Sequence, residues 1–555
     1  MSFAAVLKGR PIELLSHVPI WQYVESKVKN FSSKVAQVDA ETKREITFAE
    51  ILDKSKELGV KLAAQGVAYG DVVAICSENN LDYCWIVLGV LWTGASCALL
   101  SPTYTAREWE HALSISRPKL VMCSMSVCET KLEQYLKSSN VKQVLVWDSK
   151  GKSLPEHTIS LEEILDGTPI ACMQKKKQRN ICIGNALVVT QDSEEEHKAG
   201  KKKTKDHPAF ILSSSGSTGL PKGVVLTHFN ITTALTTSTD YTSCIEIALG
   251  VPPFCHAYGL LLVLMCMCEG TRVVVVRKFK PDLFIRSIEE HKVTCLYLVA
   301  SLLVFLVKRD VLDKPEFSSV RHIWTGAAPL SPKLQQLVLQ KLAGRALLHH
   351  SYGLTETTFT MFTCTVDNFR LGTPGKVTPG MECKVVDVET GKMIGPNHTG
   401  ELCFRGPLIM KEYVMNTEET QKAIDKDGWF HSGDLGYCNE DGYFYVVDRL
   451  KELIKYQGYQ VSPSEIESIL VMHSAIQDAA VIGIEDETYG ELPGAVIVRE
   501  PDTQITEDEI KDYVACQVSP YKRLSGGVWF VNFIPKTTTG KINRRELRKS
   551  IDMLS

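Results

Sequence analysis

Hydrophobic and polar positions change period repeatedly along the chain. Asp71–Ser77 and Lys119–Cys123 are short apolar runs of strand length. Ahead of them lies Phe48–Gln65, where Ile51, Leu58 and Leu62 recur at helical spacing and predict an amphipathic helix. The alternation returns further on. Arg272–Val276 reads as a buried strand, Pro281–His291 as a helix and Val293–Leu298 as the next strand. Strand-type segments alternating with helix-type segments predict an α/β architecture with largely parallel sheets. Gly400–Val447 is rich in strand formers and glycine. Beyond Asp448–Lys451 comes a compact block, with helices at Ser464–Val471 and Glu507–Cys516 and a strand at Asp478–Ile484. The expected organisation is a large N-terminal domain of mixed sheets flanked by helices, 1–449, and a small mobile C-terminal α+β lid, 450–555.

Two stretches are apolar throughout, Tyr258–Cys268 and Val293–Val307. Both fall short of the ~20 residues that cross a bilayer, so they predict buried core and no transmembrane segment. The net charge of −3 gives no pull toward nucleic acid or a membrane surface, so no nucleic-acid partner is expected. Gln174–Arg179 and Asp192–Asp206 are charge-rich and read as surface loops. The 17 cysteines are scattered, with no second pair at zinc spacing beside Cys266 and Cys268. With Met1–Arg10 lacking a signal pattern, free thiols in a reducing, cytoplasmic compartment are expected. Met553-Leu554-Ser555 is not the Ser-Lys-Leu peroxisomal address, which leaves peroxisomal import to a variant signal.

The sharpest candidate chemistry is Ser213–Gly223, reading Ser-Ser-Ser-Gly-Ser-Thr-Gly-Leu-Pro-Lys-Gly after the strand-like Ala209–Leu212. Hydroxyls and flexible backbone amides donate hydrogen bonds to a polyanion, and Lys222 adds a point charge. The segment is not a Walker loop, because Lys222 follows Pro221 and precedes Gly223 instead of opening a helix with Ser or Thr. It also lacks the G-x-G-x-x-G dinucleotide pattern.

Here the chain resembles the acyl-adenylate-forming superfamily, and most closely its 4-coumarate–CoA ligase, acyl-CoA synthetase and beetle luciferase branch. Ser213–Gly223 resembles that family's phosphate loop, with Ser214, Ser215, Gly216, Ser217, Thr218 and Lys222 as triphosphate contacts. Tyr352–Thr358 (YGLTETT) resembles the segment that stacks adenine on Tyr352, contacts phosphate through Thr355 and holds Mg²⁺ through Glu356. His350 and Ser351 precede it, and Ala327 and Ala328 lie in the loop Gly326–Pro329 that lines the adenine and acyl pockets. GELCFRG at Gly400–Gly406, WFHSGDLG at Trp429–Gly436 and DRLKELIK at Asp448–Lys455 also match. They make Asp434 the ribose-hydroxyl acceptor, Arg449 a further ribose contact and Lys451 a hinge. Lys541, in Pro535–Ile542, matches the lysine that bridges carboxylate and α-phosphate.

The resemblance implies two half-reactions using ATP, Mg²⁺ and coenzyme A on a small-molecule carboxylic acid, in a monomer or weak dimer. After adenylation the small domain rotates and presents Lys455–Gln460 to the acyl carbon, with Gln457 and Gly458 beside the pantetheine arm. Lys278 matches a CoA-contacting lysine and His256 a gate between the acyl and thiol tunnels. Tyr258, Leu262, Ala328 and Phe359 join His256 around the acyl group, and Leu262 and Phe359 suit an aryl-propenoic or medium-to-long fatty acid. Some positions depart from the pattern. His350-Ser351 replaces Gln-Gly, and Gln457 stands where related ligases carry a lysine. Ala234 and Phe359 replace residues typical of luciferases and argue against efficient luciferin oxidation. The alternatives are a luciferase-like adenylating monooxygenase, an enzyme charging a carrier protein, or a non-catalytic nucleotide-binding homologue.

Overall fold

The computed structural model describes residues 5–15, 18–132, 144–156, 158–166, 205–214, 221–242, 244–326, 330–365, 368–456, 459–486, 488–537 and 540–552. Most of the charge-rich stretch Gln174–Asp206 lies outside them.

Among the described residues the chain forms four sheets, of eight, nine, five and five strands. The two largest are mainly parallel. In the eight-stranded sheet Val72–Cys76, Ser96–Leu100 and Leu120–Ser124 run parallel, and the helix between the first two, Asp82–Trp92, is buried along most of its length. Parallel strands need such crossovers, and helices on the faces bury them on both sides. The nine-stranded sheet places Cys295–Val299, His322–Gly326 and Leu347–Gly353 side by side in parallel. A mixed N-terminal α/β domain is therefore joined to a small C-terminal domain, as the alternating pattern predicts. The small domain's sheet takes its strands from Ile454 onward.

Local sequence accounts for many element ends. The helix Phe48–Ala64 starts at Thr47, whose hydroxyl accepts from the Glu50 amide at 3.2 Å. Glu50 in turn accepts from the Thr47 amide at 2.7 Å, a reciprocal capping box. Pro281–His291 is helical over the expected residues, with proline at its first position. The apolar run Tyr258–Cys268 is a helix, Ala257–Glu269, buried from Gly259 to Cys268. Val293–Val307 divides into the strand Cys295–Val299 and the helix Ala300–Lys308. No helix among the described residues is long and apolar enough to cross a membrane. Cys266 and Cys268 are buried free thiols.

The small domain touches the large one at several points. Met472 packs against the hydrophobic cluster beside the nine-stranded sheet. Lys308 donates to the Ile476 carbonyl and pairs with Glu500 at 3.0 Å. A Cβ at Gly540 would lie 3.6 Å from Val299 Cγ2, so Gly540 lies against the end of the strand Cys295–Val299.

Gly59 is where the helix Phe48–Ala64 approaches Asp82–Trp92 most tightly, because a Cβ there would sit 2.6 Å from the Trp92 ring. Gly59→Val should therefore overpack this contact by about 2 kcal/mol. A lowered midpoint of thermal unfolding is expected. An unchanged midpoint would show that Trp92 moves aside at no cost.

Candidate active site

A cavity of about 2280 Å³ opens between the two domains. Pockets for one small ligand run to about 300–1,000 Å³, so this one has room for two. It lies at the carboxyl ends of parallel strands, where chains leaving the sheet supply side chains without breaking the ladder. Ser214, Gly326 and Gly353 end such strands, and Lys541 reaches in from the small domain.

The hairpin Pro208–Ser214 and Lys222–Thr227 sets Lys222 opposite Ser214. Ser215, Gly216, Ser217 and Thr218 fall between them and outside the described residues. Lys222 pairs with Glu419 and lies 4.7 Å above the centre of the Tyr413 ring. The Tyr413 hydroxyl donates to Glu356 Oε1 at 3.0 Å, and the Met410 amide donates to the Glu356 carbonyl at 2.8 Å. Glu356 thus presents a fixed carboxylate, a hard oxygen donor of the type Mg²⁺ takes. Thr355 lines the cavity beside it.

Tyr352 stacks on Phe362, with ring centres 5.4 Å apart, and donates its hydroxyl to Asp434 Oδ2 at 2.6 Å. Arg449 Nε lies 3.4 Å from the other Asp434 oxygen. Burial pushes the Asp434 carboxyl up, and the Arg449 guanidinium pulls against that shift. Lys541 is pushed down to about 8, by burial first and then by the Arg449 cation, with Asp434, Glu356 and Glu452 opposing. His256 caps the helix Ala257–Glu269, and burial together with the Lys541 cation lowers it to about 4. Its imidazole is therefore neutral at pH 7. Burial also lowers His350 to about 4, and its Nδ1 has no hydrogen-bond partner.

The structure gathers Ser214, Lys222, His256, Tyr258, His350, Ser351, Tyr352, Thr355, Glu356, Phe359, Asp434, Arg449, Lys451 and Lys541 around this cavity. Ala327 and Ala328 follow Gly326 but lie outside the described residues, as do Gln457 and Gly458, which fall in sequence between the strands Ile454–Tyr456 and Tyr459–Val461. Three expected residues are not brought to the wall. Leu262 is wholly buried inside its helix, and Met265 lines the cavity instead. Lys278 is exposed away from the cavity. Lys455 is exposed on the small domain, its amide donating to Glu491, because only one side of that domain can face the cavity at a time. Other wall residues carry no signal of their own in the sequence. Tyr413, Glu419, Tyr297 and Trp324 arrive by long-range folding, and Trp324 stacks on His349 with ring centres 4.2 Å apart. Glu401 and His431 stand inside matched motifs and reach the wall without an expected role.

This fold and site define a nucleotide-dependent enzyme class. The family model described as AMP-binding enzyme matches residues 24–414. The AMP-binding enzyme C-terminal domain matches residues 465–541. The chain belongs to the AMP-binding enzyme family. It is 38% identical over 522 residues to a luciferin 4-monooxygenase of Nipponoluciola cruciata, covering 93% of this chain and 91% of that one. A 4-coumarate-CoA ligase 1 of Narcissus pseudonarcissus is 34% identical, covering 96% of this chain and 93% of that one. A crystal structure of ATP-bound MatB from Rhodopseudomonas palustris superposes with a TM-score of 0.79 at 25% identity, covering 96% of this chain and 98% of that one.

Arg449 is the like charge that holds Lys541 down beyond the effect of burial. Arg449→Ala should raise the Lys541 pKa from about 8. Pulse acetylation of Lys541 across pH, read by mass spectrometry, measures this. A value that stays put or falls would assign the whole shift to burial.

Proposed function

We propose that this chain activates a carboxylic acid with ATP to an acyl-adenylate and then passes the acyl group to the thiol of coenzyme A. The supporting observation is the placement of Lys541. A largely enclosed lysine on the cavity wall feels the charges of Asp434, Arg449, Glu356 and Glu452, and its cation acts on the neutral His256 of the same wall. A carboxylate and a triphosphate repel each other, and a cation between them offsets that repulsion as charge develops. In the first step a carboxylate oxygen attacks the α-phosphorus. The bond to the bridging oxygen breaks, and pyrophosphate leaves. In the second, the thiol loses its proton to solvent, sulfur attacks the acyl carbon, and the bond from that carbon to the phosphate oxygen breaks as AMP departs.

Each residue has a distinct part. Tyr352 supplies a flat apolar face for adenine, and Asp434 accepts from the ribose hydroxyls with Arg449 beside it. Lys222 exchanges its Glu419 partner for a phosphate oxygen, and Thr355 donates to phosphate. Mg²⁺ at Glu356 supplies further charge neutralisation. Lys541 bridges carboxylate and α-phosphate. Tyr258, Met265, Tyr297, Trp324 and Phe359 enclose an aryl or alkyl acyl group, and the neutral His256 stands at its carboxyl end. For thioester formation Lys541 withdraws and Lys455 takes its turn, with Lys451 as the hinge. Gln457, Gly458 and Lys278 then line the path of coenzyme A.

Identity to a luciferin 4-monooxygenase supports a second reading, in which the adenylate is oxidised instead. A panel of carboxylic acids, assayed for pyrophosphate release and for thioester with and without coenzyme A, separates the two. Release that never yields a thioester favours oxidation. No release across a broad panel would remove the enzymatic reading.

Lys541→Ala should cut adenylation roughly a thousandfold, the effect of about 4 kcal/mol of lost charge interaction. Conversion of preformed acyl-adenylate to thioester should persist. Equal loss in both steps would refute the exchange of lysines. Lys541 is charged below about 8 and neutral above it. In the wild type, kcat/KM for acid-dependent pyrophosphate exchange should therefore fall as pH rises through that value, since kcat/KM reports the free enzyme. Lys541→Arg, always charged, should be slower yet lack this basic limb.

A further inference from the structure

The strand carrying Asp434 leaves its ladder just where Asp434 lies. Glu401 pairs with Leu435 and Cys403 with His431, so Leu402 alone opposes Ser432, Gly433 and Asp434. Three residues facing one form a bulge, and a bulge re-aims a side chain at the cost of ladder hydrogen bonds. Side chains replace those bonds here. Ser432 Oγ donates to the Leu402 carbonyl at 2.6 Å and accepts from the Asp434 amide at 3.1 Å. The Gly433 amide donates to Glu401 Oε1 at 3.0 Å, with Gly433 in the left-handed region at φ +69°. The Gly433 carbonyl accepts from the Leu450 amide at 2.9 Å, one residue before Lys451.

Glu401 uses its second oxygen as well. Oε2 lies 2.8 Å from His431 Nδ1, so one carboxylate staples the residues on either side of Ser432. On the far side of the ring, Nε2 lies 3.5 Å from Asp425 Oδ2. Asp425 is anchored in turn, with Oδ1 accepting the amides of Asp427 and Trp429 at 2.9 Å each. Cys403 Sγ lies 3.5 Å from Nδ1, and Lys384 acts on both Asp425 and Cys403. Glu401, Cys403 and His431 lie within 4.8 Å of one another, yet the 2.8 Å contact is a hydrogen bond that a cation between them would have to break.

We propose that His431, clamped between the carboxylates of Glu401 and Asp425, is a positioning residue that holds the Ser432–Asp434 bulge and so sets Asp434 against the ribose of the bound nucleotide. The inference rests on the reading of Asp434 as the ribose-hydroxyl acceptor. The Cys403 sulfur and the Glu401 carboxylate raise His431 to about 10, so the imidazolium persists at neutral pH. A folded pKa above the ordinary histidine value means that the clamp is fully present below that value. It is lost only as pH rises through about 10.

The test compares ATP with 2′,3′-dideoxy-ATP by titration calorimetry on the full chain at pH 7.5, with folding checked by circular dichroism. The wild type should bind ATP about tenfold tighter, the worth of a hydrogen bond to a charged acceptor. In His431→Ala the preference should collapse, ATP weakening about tenfold and the dideoxy analogue less than twofold. Glu401→Gln keeps an acceptor for Gly433 but loses the ion pair, and it should give the same convergence even if His431→Ala folds poorly. Equal weakening of both nucleotides, or no change in either, overturns the proposal and leaves the nucleotide reading intact. A wild type that binds neither nucleotide overturns that reading and this inference with it.

Discussion

Asp434 is a carboxylate taken out of water and faced by cations. Arg449 lies beside one oxygen, the Tyr352 hydroxyl donates to the other, and Lys541 stands close enough to act on it. Each partner comes from a different part of the chain. Tyr352 ends a strand of the nine-stranded sheet, Arg449 ends a strand beside that of Asp434, and Lys541 belongs to the small domain. Buried ions cost solvation that their mutual attraction only partly returns, so such a cluster is poor as a stabilising device. It makes sense as a site held ready. Its charges are already desolvated and oriented, and little reorganisation remains when a polyanion arrives.

That cluster also fixes what the rest of the interface does. With Lys541 inside, Gly540 lies against the strand end at Val299. Lys308 holds Glu500 and the Ile476 carbonyl, and Met472 fills a gap beside the large domain's core. These contacts are few, polar or partly buried, the character of an interface that separates at modest cost. Lys455, on the strand Ile454–Tyr456, lies outside while Lys541, in the last loop of the same small domain, lies inside.

Legibility in the sequence followed the range of the interaction. Local signals carried far. The spacing of Ile51, Leu58 and Leu62 fixed one helix, and Pro281 opened another over the expected residues. The ordered motifs brought Lys222, Tyr352, Glu356, Asp434 and Lys541 to one cavity. Signals failed where periodicity has no contrast. The helix Ala257–Glu269 is apolar almost all round, so its pattern does not say which face meets the cavity. Leu262 turns into the core while Tyr258 and Met265 reach the wall. Tyr413 under Lys222 depends on a pairing across a long stretch of chain, and nothing local marks it. The bulge at Ser432–Asp434 is a register event, invisible until the partner strand is known.

The cavity wall carries two kinds of side chain. Lys222, Arg449 and Lys541 are cations that suit phosphate. Tyr258, Tyr297, Trp324, Met265 and Phe359 are largely apolar, and His256 on the same wall is neutral. A carboxylic acid is itself of two kinds, a charged head on an apolar body. Burying the body against aromatic walls recovers hydrophobic free energy, and on the proposed reading the head is then left beside Lys541. A neutral His256 there neither competes with Lys541 for the carboxylate nor adds a second cation to repel it. On the proposed reading, the acid's orientation follows from this contrast between apolar and cationic wall residues, and its reacting oxygen lies on the cationic side.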